Sequence, residues 1–140
     1  MGANDQEVLV PIPKIVPLRD SAIVMKINDA DTTGVKGFIH VPFNCYITGY
    51  SVLADVACAL TIDIWKDTFA NFPPLVADTI IDTGSGGVKP ALAAAQGVYS
   101  TDIDHWTTLL SINDVIAFDV EATDGIVTEI TITLFVKKLL

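Results

Sequence analysis

The residues that could bind a metal ion are concentrated in one polar segment. Residues 28–34 place Asn28, Asp29 and Asp31 ahead of two threonines and a glycine. Calcium loops space their oxygen ligands in this way, but they also need a third acidic position and a closing glutamate, and this segment has neither. We therefore interpret it as a solvated turn and predict no metal site.

The histidines offer an incomplete set of catalytic partners. Asp102, Asp104 and His105 lie close together in the sequence, and His40 lies far from them. A catalytic triad also needs a positioned nucleophile, and no Gly-x-Ser-x-Gly segment is present. The glycine-rich residues 84–89 lack the Gly-Lys-Ser/Thr ending of a phosphate-binding loop, so no cofactor is predicted.

One segment resembles the active-site loop of aspartic proteases. Thr79-Ile-Ile precedes Asp82-Thr-Gly-Ser85. Protease chemistry of this kind needs two carboxylates that share one proton, so a chain of this length would have to act as a homodimer. The hydrophobic–hydrophobic–Gly segment that the family places downstream is missing. We keep a dimeric protease as a third alternative, and we predict no catalytic residue and no enzymatic activity.

The overall charge argues against several classes of partner. Lysine and arginine number 8 against 17 aspartates and glutamates, which gives a net charge of −9 over 140 residues. Such a charge repels phosphate backbones and anionic lipids, so neither a nucleic acid nor a membrane is an expected partner. No apolar run reaches the roughly 18 residues of a membrane span. The acidic start of the chain predicts no secretion signal.

The elements that would position these residues are strands. Residues 58–66 alternate between apolar and polar side chains, which is the period of a half-buried strand. The apolar positions are Leu60, Ile62 and Ile64, and Trp65 faces outward. We predict that residues 46–54 and 58–66 form a hairpin that turns near residues 55–57.

The last part of the chain predicts a second hairpin, between residues 115–121 and 126–138. Its inward positions are Ile116, Phe118, Val120, Ile126, Ile130, Ile132, Leu134 and Val136. Further strands are predicted over residues 21–27, 35–41 and 75–82, and at most one or two helical turns over the alanine-rich residues 90–96. Roughly seven to nine strands with almost no helix predict an all-β sandwich or barrel.

The two cysteines are predicted to be free. In the first predicted hairpin Cys58 pairs near Ala54, which leaves Cys45 a whole strand away. That separation exceeds the roughly 7 Å that bridged Cα atoms allow. Two buried free thiols are typical of a protein made in a reducing compartment.

The proline-rich residues 1–20 predict an extended N-terminal arm, and residues 21–140 a β-sandwich domain. The apolar arm positions are Ile12, Ile15, Val16 and Leu18. Such an arm packs either along its own domain or on a neighbouring subunit, and the sequence leaves both open. The outward Trp65 and Phe135 suggest further subunit contacts, or cover by a loop.

Two segments resemble a domain that recurs in the virion proteins of tailed bacteriophages. The first runs from Gly37-Phe-Ile-His-Val-Pro-Phe-Asn-Cys-Tyr to Asp63-Ile-Trp-Lys66. The second is Trp106-Thr-Thr-Leu-Leu-Ser-Ile-Asn-Asp114-Val-Ile-Ala-Phe-Asp-Val, with Asn113 where the family usually has glycine. The resemblance covers most of residues 37–140. It implies a jelly-roll-like β-sandwich that assembles as a trimer.

The function that this resemblance implies is that of a capsid decoration (cement) protein. Such a protein is made in the host cytoplasm, lies on the capsid exterior, and binds the major capsid protein of the assembled head as a homotrimer. The expected contact residues for the capsid or a neighbouring subunit are Ile12, Ile15, Val16, Leu18, Trp65 and Phe135.

The alternative is a tail-fibre or receptor-binding tip domain that contacts a glycan or protein on the host surface. Two loops, residues 67–74 and 84–96, would make this contact. The expected stacking groups are Phe69, Phe72 and Tyr99.

Overall fold

A computed structural model describes residues 19–139. Almost all regular structure in this range is β. The strands are β1 (Arg19–Ile27), β2 (Gly34–His40), β3 (Cys45–Thr68), β4 (Ala91–Ser100), β5 (Leu109–Leu110), β6 (Asp114–Thr123) and β7 (Ile130–Lys138). Three single-turn 3₁₀ helices span Phe69–Asn71, Val76–Asp78 and Thr83–Ser85. The all-β prediction is confirmed, and the predicted arm contacts at Ile12, Ile15, Val16 and Leu18 lie outside the described residues.

The strands form one antiparallel sheet that curls on itself, in the order β1-β7-β3-β6-β2, with β4 and β5 also paired to β3. The first part of β3 pairs with β7 as far as Ala54, and the second part pairs with β6 from Leu60 onward. We call the strands around the first part the β7 half (β1, β7 and the end of β4). The strands around the second part are the β6 half (β2, β6 and the start of β4).

The hairpin predicted within β3 is wrong, because residues 46–54 and 58–66 belong to one continuous strand. Asp55 explains why the chain does not reverse there. Its carboxylate accepts hydrogen bonds from the Thr128 hydroxyl at 2.8 Å and the Glu129 amide at 3.3 Å. These contacts fasten the middle of β3 to the connection between β6 and β7, a partner distant in the sequence.

The second predicted hairpin is also wrong, because β6 and β7 pair with different parts of β3 instead of with each other. Their connection is held by Asp124, whose carboxylate accepts hydrogen bonds from the amides of Ala59 at 2.8 Å and Ile126 at 3.0 Å. The Ile126 side chain is exposed instead of inward. The strand β7 itself begins only at Ile130.

Two shorter predictions also fail. The alanine-rich residues 90–96 contribute to strand β4 instead of a helix, because pairing with β3 buries Leu92 opposite Leu60. Residues 75–82 contain the 3₁₀ helix Val76–Asp78 and two isolated bridges instead of a strand. By contrast, the strands predicted over residues 21–27, 35–41 and 115–121 are present.

The core is a single cluster of inward side chains from both halves. Its central members are Ile23, Ile27, Val52, Ile62, Ile64, Ile116, Phe118, Val120, Ile132, Leu134 and Val136. Gly37 of β2 marks where the two halves meet, because a Cβ atom there would lie 2.8 Å from Cε of Met25 in β1. Cys45 and Cys58 are both buried and free, although they lie in one strand and not in two facing ones.

No helix within residues 19–139 is long and apolar enough to cross a membrane.

Candidate functional site

The centre of the outer face of the β7 half carries no charged side chain, and no described segment packs on it. Its members are Ala22, Val24, Ser51, Leu53, Tyr99, Thr133 and Phe135, which we call the bare face. Val24, Leu53 and Tyr99 are each more than half exposed. Exposed apolar side chains gathered on one sheet face mark a surface that another molecule can cover.

Charged pairs lie at both ends of the bare face. At one end the Lys26 ammonium lies 3.0 Å from the Glu129 carboxylate. At the other end Lys137 lies 2.7 Å from Asp20. The hydrogen bond to the Asp20 carboxylate, followed by the negative charge of that group, raises the pKa of Lys137. The apolar centre with a charged border is the arrangement typical of a protein interface.

The two outward aromatic residues of the sequence prediction lie on different halves. Phe135 is half-buried on the bare face, where its ring centroid lies 5.8 Å from that of Tyr99. Trp65 lies on the outer face of the β6 half, where its indole Nε1 donates a hydrogen bond to Asp63 at 2.9 Å. Phe135 therefore belongs to a surface open to a partner, whereas Trp65 already has a polar partner in its own chain.

The outer face of the β6 half is covered. Val115 and Ala117 are buried although they do not belong to the core cluster, and strand alternation places them on the outer side of β6. Phe38 lies directly opposite Ala117 in the register, and His40 lies opposite Val115. The loop after β3 folds back over these positions and forms a small apolar cluster outside the sheet.

The side chains that cover Val115 and Ala117 are mainly aromatic. We call Phe38, His40, Phe69 and Phe72 the aromatic platform. The Phe38 and Phe72 rings are 4.9 Å apart at 69°, and the His40 and Phe69 rings are stacked at 5.2 Å and 24°. Phe69 and Phe72 are themselves stacked at 6.4 Å. The three phenyl groups remain 45%, 60% and 48% exposed for Phe38, Phe69 and Phe72, respectively.

Asn113 holds the aromatic platform in place. Its backbone has φ of 72°, a left-handed conformation that asparagine adopts more readily than most residues. Its carbonyl accepts a hydrogen bond from the Phe69 amide at 3.0 Å. Its side-chain Oδ1 accepts one from His40 Nε2 at 2.9 Å. One residue thus orients both the loop and the imidazole.

A buried carboxylate fastens the rest of the cover. Asp63 Oδ1 accepts hydrogen bonds from the Ile64 amide at 2.9 Å and the Thr79 hydroxyl at 2.6 Å. The Lys89 ammonium lies 3.5 Å from Asp63 Oδ2 and also pairs with Glu121. Burial lowers the pKa of Lys89, but the hydrogen bonds and negative charges of Glu121 and Asp63 outweigh burial, so the pKa is raised overall. The ammonium therefore stays charged and ties the segment before β4 to the sheet.

Asp119 is a carboxylate of this cluster whose negative charge is disfavoured by its surroundings. It lies directly opposite Asp63 in the register of β3 and β6. Burial raises the pKa of its carboxyl group, and the negative charges of Asp63 and Glu121 raise it further. No group of three metal-ligating side chains forms here or elsewhere in residues 19–139.

The carboxylates considered above for catalysis or metal binding have local structural partners. Asp82 accepts hydrogen bonds from the Ser85 hydroxyl at 2.7 Å and the Ser85 amide at 3.2 Å, and these contacts lower the pKa of its carboxyl group. Asp102 accepts a hydrogen bond from the Asp104 amide at 3.3 Å. Asp29 lies 3.3 Å from the Lys36 ammonium. Each of these carboxylates thus stabilises a turn or pairs with a neighbouring lysine.

The predicted ligand residues divide between the two halves. Phe69 and Phe72 come together in the aromatic platform, whereas Tyr99 lies on the bare face against Phe135. Sequence reasoning missed Phe38 and His40, although the alternation of β2 places both on its outer side. A shallow groove of roughly 500 Å³ between β3, β4 and β6 is lined mainly by alanine and leucine side chains, and its polar members are Thr61, Thr123 and Asp124.

The chain matches no protein-family model, and no curated protein matches it significantly. Its function is therefore inferred from the two outer faces of the curled sheet.

Proposed function

We propose that this chain is a structural protein of a tailed-phage virion, and specifically a capsid decoration protein. In this proposal the domain is a jelly-roll-like β-sandwich that associates as a homotrimer and binds the major capsid protein on the outside of the assembled head. The observation that supports it best is the bare face, where Val24, Leu53 and Tyr99 remain more than half exposed.

The chemistry of the bare face favours assembly. A buried aliphatic or aromatic side chain contributes about 1.5–3 kcal/mol relative to an exposed one, so covering Val24, Leu53 and Tyr99 together would stabilise a complex substantially. Copies of a chain with a net charge of −9 repel one another in general. Association therefore costs least through a surface that carries no net charge at its centre.

The proposal also gives the N-terminal arm a role. Ile12, Ile15, Val16 and Leu18 precede β1, the strand that carries Ala22 and Val24 on the bare face. We propose that these four residues contact neighbouring subunits of the shell. Deleting residues 1–18 removes them and leaves strand β1 complete, so it should weaken shell binding without unfolding the domain. Unchanged shell affinity after this deletion would contradict the role of the arm.

The bare face can be tested with a matched pair of substitutions. Val24→Asp places a charge on the bare face, and Val76→Asp places the same charge at a valine on the other half that is still more exposed, 67% against 53%. We expect sedimentation to show a trimer for the wild type and for Val76→Asp, and a monomer for Val24→Asp. A trimer that survives Val24→Asp would exclude the bare face as the subunit interface.

The location of the protein on the particle tests the function itself. Intact particles of the source phage would be labelled with gold-conjugated antibody against the folded domain. Gold distributed over the head supports a decoration protein. Absence of gold on intact particles, with an antibody that binds the native protein, contradicts a virion role and returns the dimeric protease to consideration.

A second candidate function is favoured by the aromatic platform. Three half-exposed phenyl groups beside polar side chains are a surface suited to contact with a host receptor, as in a tail-fibre or receptor-binding tip domain. Gold confined to the end of the tail would select this candidate over the decoration protein. Loss of host adsorption in Phe69→Ala particles would support it further.

A further inference from the structure

We infer that the aromatic platform binds an uncharged glycan. This inference deepens the second candidate function and rests on the same surface, because it names the class of ligand that the aromatic platform would take. It holds whether the protein lies on the head or on the tail. The platform is built from strand β2 and from the loop after β3, so two elements with different positions in the sequence form it.

The aromatic platform exposes more aromatic surface than is needed to cover the side chains beneath it. Val115 and Ala117 are already buried beneath it, yet Phe69 is 60% exposed. An aromatic side chain buries about 150–250 Å² when it is fully packed, so half-exposed rings forgo much of that stabilisation. Contiguous exposed apolar groups with a polar rim commonly mark a binding surface.

Polar groups with fixed orientations surround the rings. Asn113 Oδ1 accepts the hydrogen bond from His40, which directs the Asn113 amide nitrogen away from the imidazole; this nitrogen has no acceptor within residues 19–139. On the other side, Asn71 Nδ2 donates to Asp67 Oδ1 at 3.2 Å. Fixed donors and acceptors beside an apolar surface supply orientation and specificity for a small ligand.

A pyranose ring matches this combination. One face of many hexopyranoses presents C–H groups that stack on an aromatic ring, and the ring edge presents hydroxyl groups that exchange hydrogen bonds with amides, imidazoles and carboxylates. Phe69 and Phe72 supply the stacking surface, and Asn113, His40 and Asp67 supply the polar partners.

Charge and size decide between the possible occupants. The Asp67 carboxylate at the rim and the net charge of −9 disfavour sialylated or uronic-acid glycans. A stable protein partner needs about 800 Å² on each side. The platform offers only four rings, and the outer face beside it carries the charged cluster of Asp63, Asp119 and Lys89.

The test uses the full chain and a glycan array that contains neutral hexose and N-acetylhexosamine oligosaccharides together with sialylated and uronic-acid glycans. We expect binding to neutral glycans only. Phe69→Ala should weaken that binding roughly two- to tenfold, because one aromatic contact is lost. The matched control is Ile126→Ala, which truncates a similarly exposed apolar side chain outside both the aromatic platform and the bare face and should leave glycan binding unchanged.

Phe69→Leu keeps an apolar cover over the loop but removes the aromatic ring, so it separates loss of stacking from loss of fold. It should bind as weakly as Phe69→Ala while unfolding at the wild-type urea concentration. Three outcomes would overturn the inference: no neutral glycan bound by the native chain at millimolar concentration, binding restricted to anionic glycans, or binding that Phe69→Leu leaves intact. Particle labelling is independent of all three, so the virion role can fail or stand separately.

Discussion

The two halves of the curled sheet follow the same inward pattern but differ in what they present outward. The outer face of the β7 half carries small, hydroxyl and apolar side chains, and none of the described segments lies over it. The outer face of the β6 half carries Asp63 and Asp119, and the segment between β3 and β4 covers it. A sheet face with buried charges needs a fixed cover, whereas an apolar face can be left for a partner.

The segment between β3 and β4 is held on the sheet by specific polar contacts and not by apolar packing alone. Lys89, Thr79 and Trp65 all direct polar atoms at Asp63, so one carboxylate orients three parts of the chain. The bare face has no comparable centre. Substitutions on the two faces should therefore have very different effects on stability.

The largest effect is expected from Asp63→Ala. It leaves the Lys89 ammonium, the Thr79 hydroxyl and the Trp65 indole without their shared acceptor. Removing one partner of a buried charged network typically lowers the free energy of unfolding by about 3–5 kcal/mol. Equilibrium urea unfolding would measure the loss, and Asp63→Asn, which retains one oxygen acceptor, should lose less. A loss below about 1 kcal/mol would show that the cover does not depend on this carboxylate.

The next largest effect on stability is expected from enlarging a buried alanine, with an exposed alanine as its control. Ala117→Leu forces extra volume beneath the aromatic platform, where overpacking typically costs about 1–3 kcal/mol of unfolding free energy. Ala22→Leu adds the same volume to the bare face and should change that free energy by less than about 0.5 kcal/mol. Equal effects of the two substitutions would contradict the distinction between a covered and a bare face.

The pH dependence of stability gives a smaller and signed test. The pKa of Asp119 is raised in the folded protein, so its ionisation opposes folding, and its contribution to stability falls as pH rises above the ordinary aspartate range of about 3.9. Asp119→Asn should therefore stabilise the protein at pH 7 and have little effect at pH 3. Urea unfolding at both pH values would measure the difference.

Asp55 serves as a control, because its contribution to stability should depend on pH in the opposite direction. The hydrogen bond from Thr128, followed by those from nearby backbone amides, lowers the pKa of its carboxyl group. Its contribution to stability is therefore present above the ordinary aspartate pKa and is lost as pH falls through the lowered value. Asp55→Asn should destabilise the protein at pH 7 and converge on the wild type in acid. The same sign for both variants would refute this account of the charges.

The smallest effect on the monomer is expected on the bare face. Leu53→Ser should change its free energy of unfolding by less than about 0.5 kcal/mol, because the Leu53 side chain is already mostly exposed. Urea unfolding at low protein concentration, with and without residues 1–18, would measure it. A loss above about 1 kcal/mol that disappears in the truncated chain would show that the N-terminal residues cover this face in their own subunit.

Local alternation allowed much of the core to be predicted, and long-range contacts explain what it missed. The period of two placed Ile62, Ile64 and Phe118 inward correctly, because each strand contributes one face to the same interior. It could not show that residues 55–57 continue a strand, since the contact that holds them there comes from Thr128 and Glu129. Nor could it show that the alanines of β4 pair with β3 instead of forming a helix.

The candidate site was predictable only in part for the same reason. The composition of the loop after β3 identified Phe69 and Phe72 as exposed aromatic groups. Their partners Phe38 and His40 come from a strand about thirty residues earlier, and only the fold-back of the loop over β6 brings them together. Tyr99 was predicted to act together with them, but it belongs to the opposite half, which no local pattern indicates.

The arrangement of strands around β3 also sets an order for folding during synthesis. β1 pairs only with β7 within residues 19–139, and the first part of β3 pairs with the same strand. These early segments therefore cannot complete their hydrogen bonds until the ribosome has made Ile130–Lys138. Sheets dominated by such distant pairings fold slowly. The nascent chain should consequently hold its apolar strands unpaired for most of its translation and should depend on chaperones more than its small size suggests.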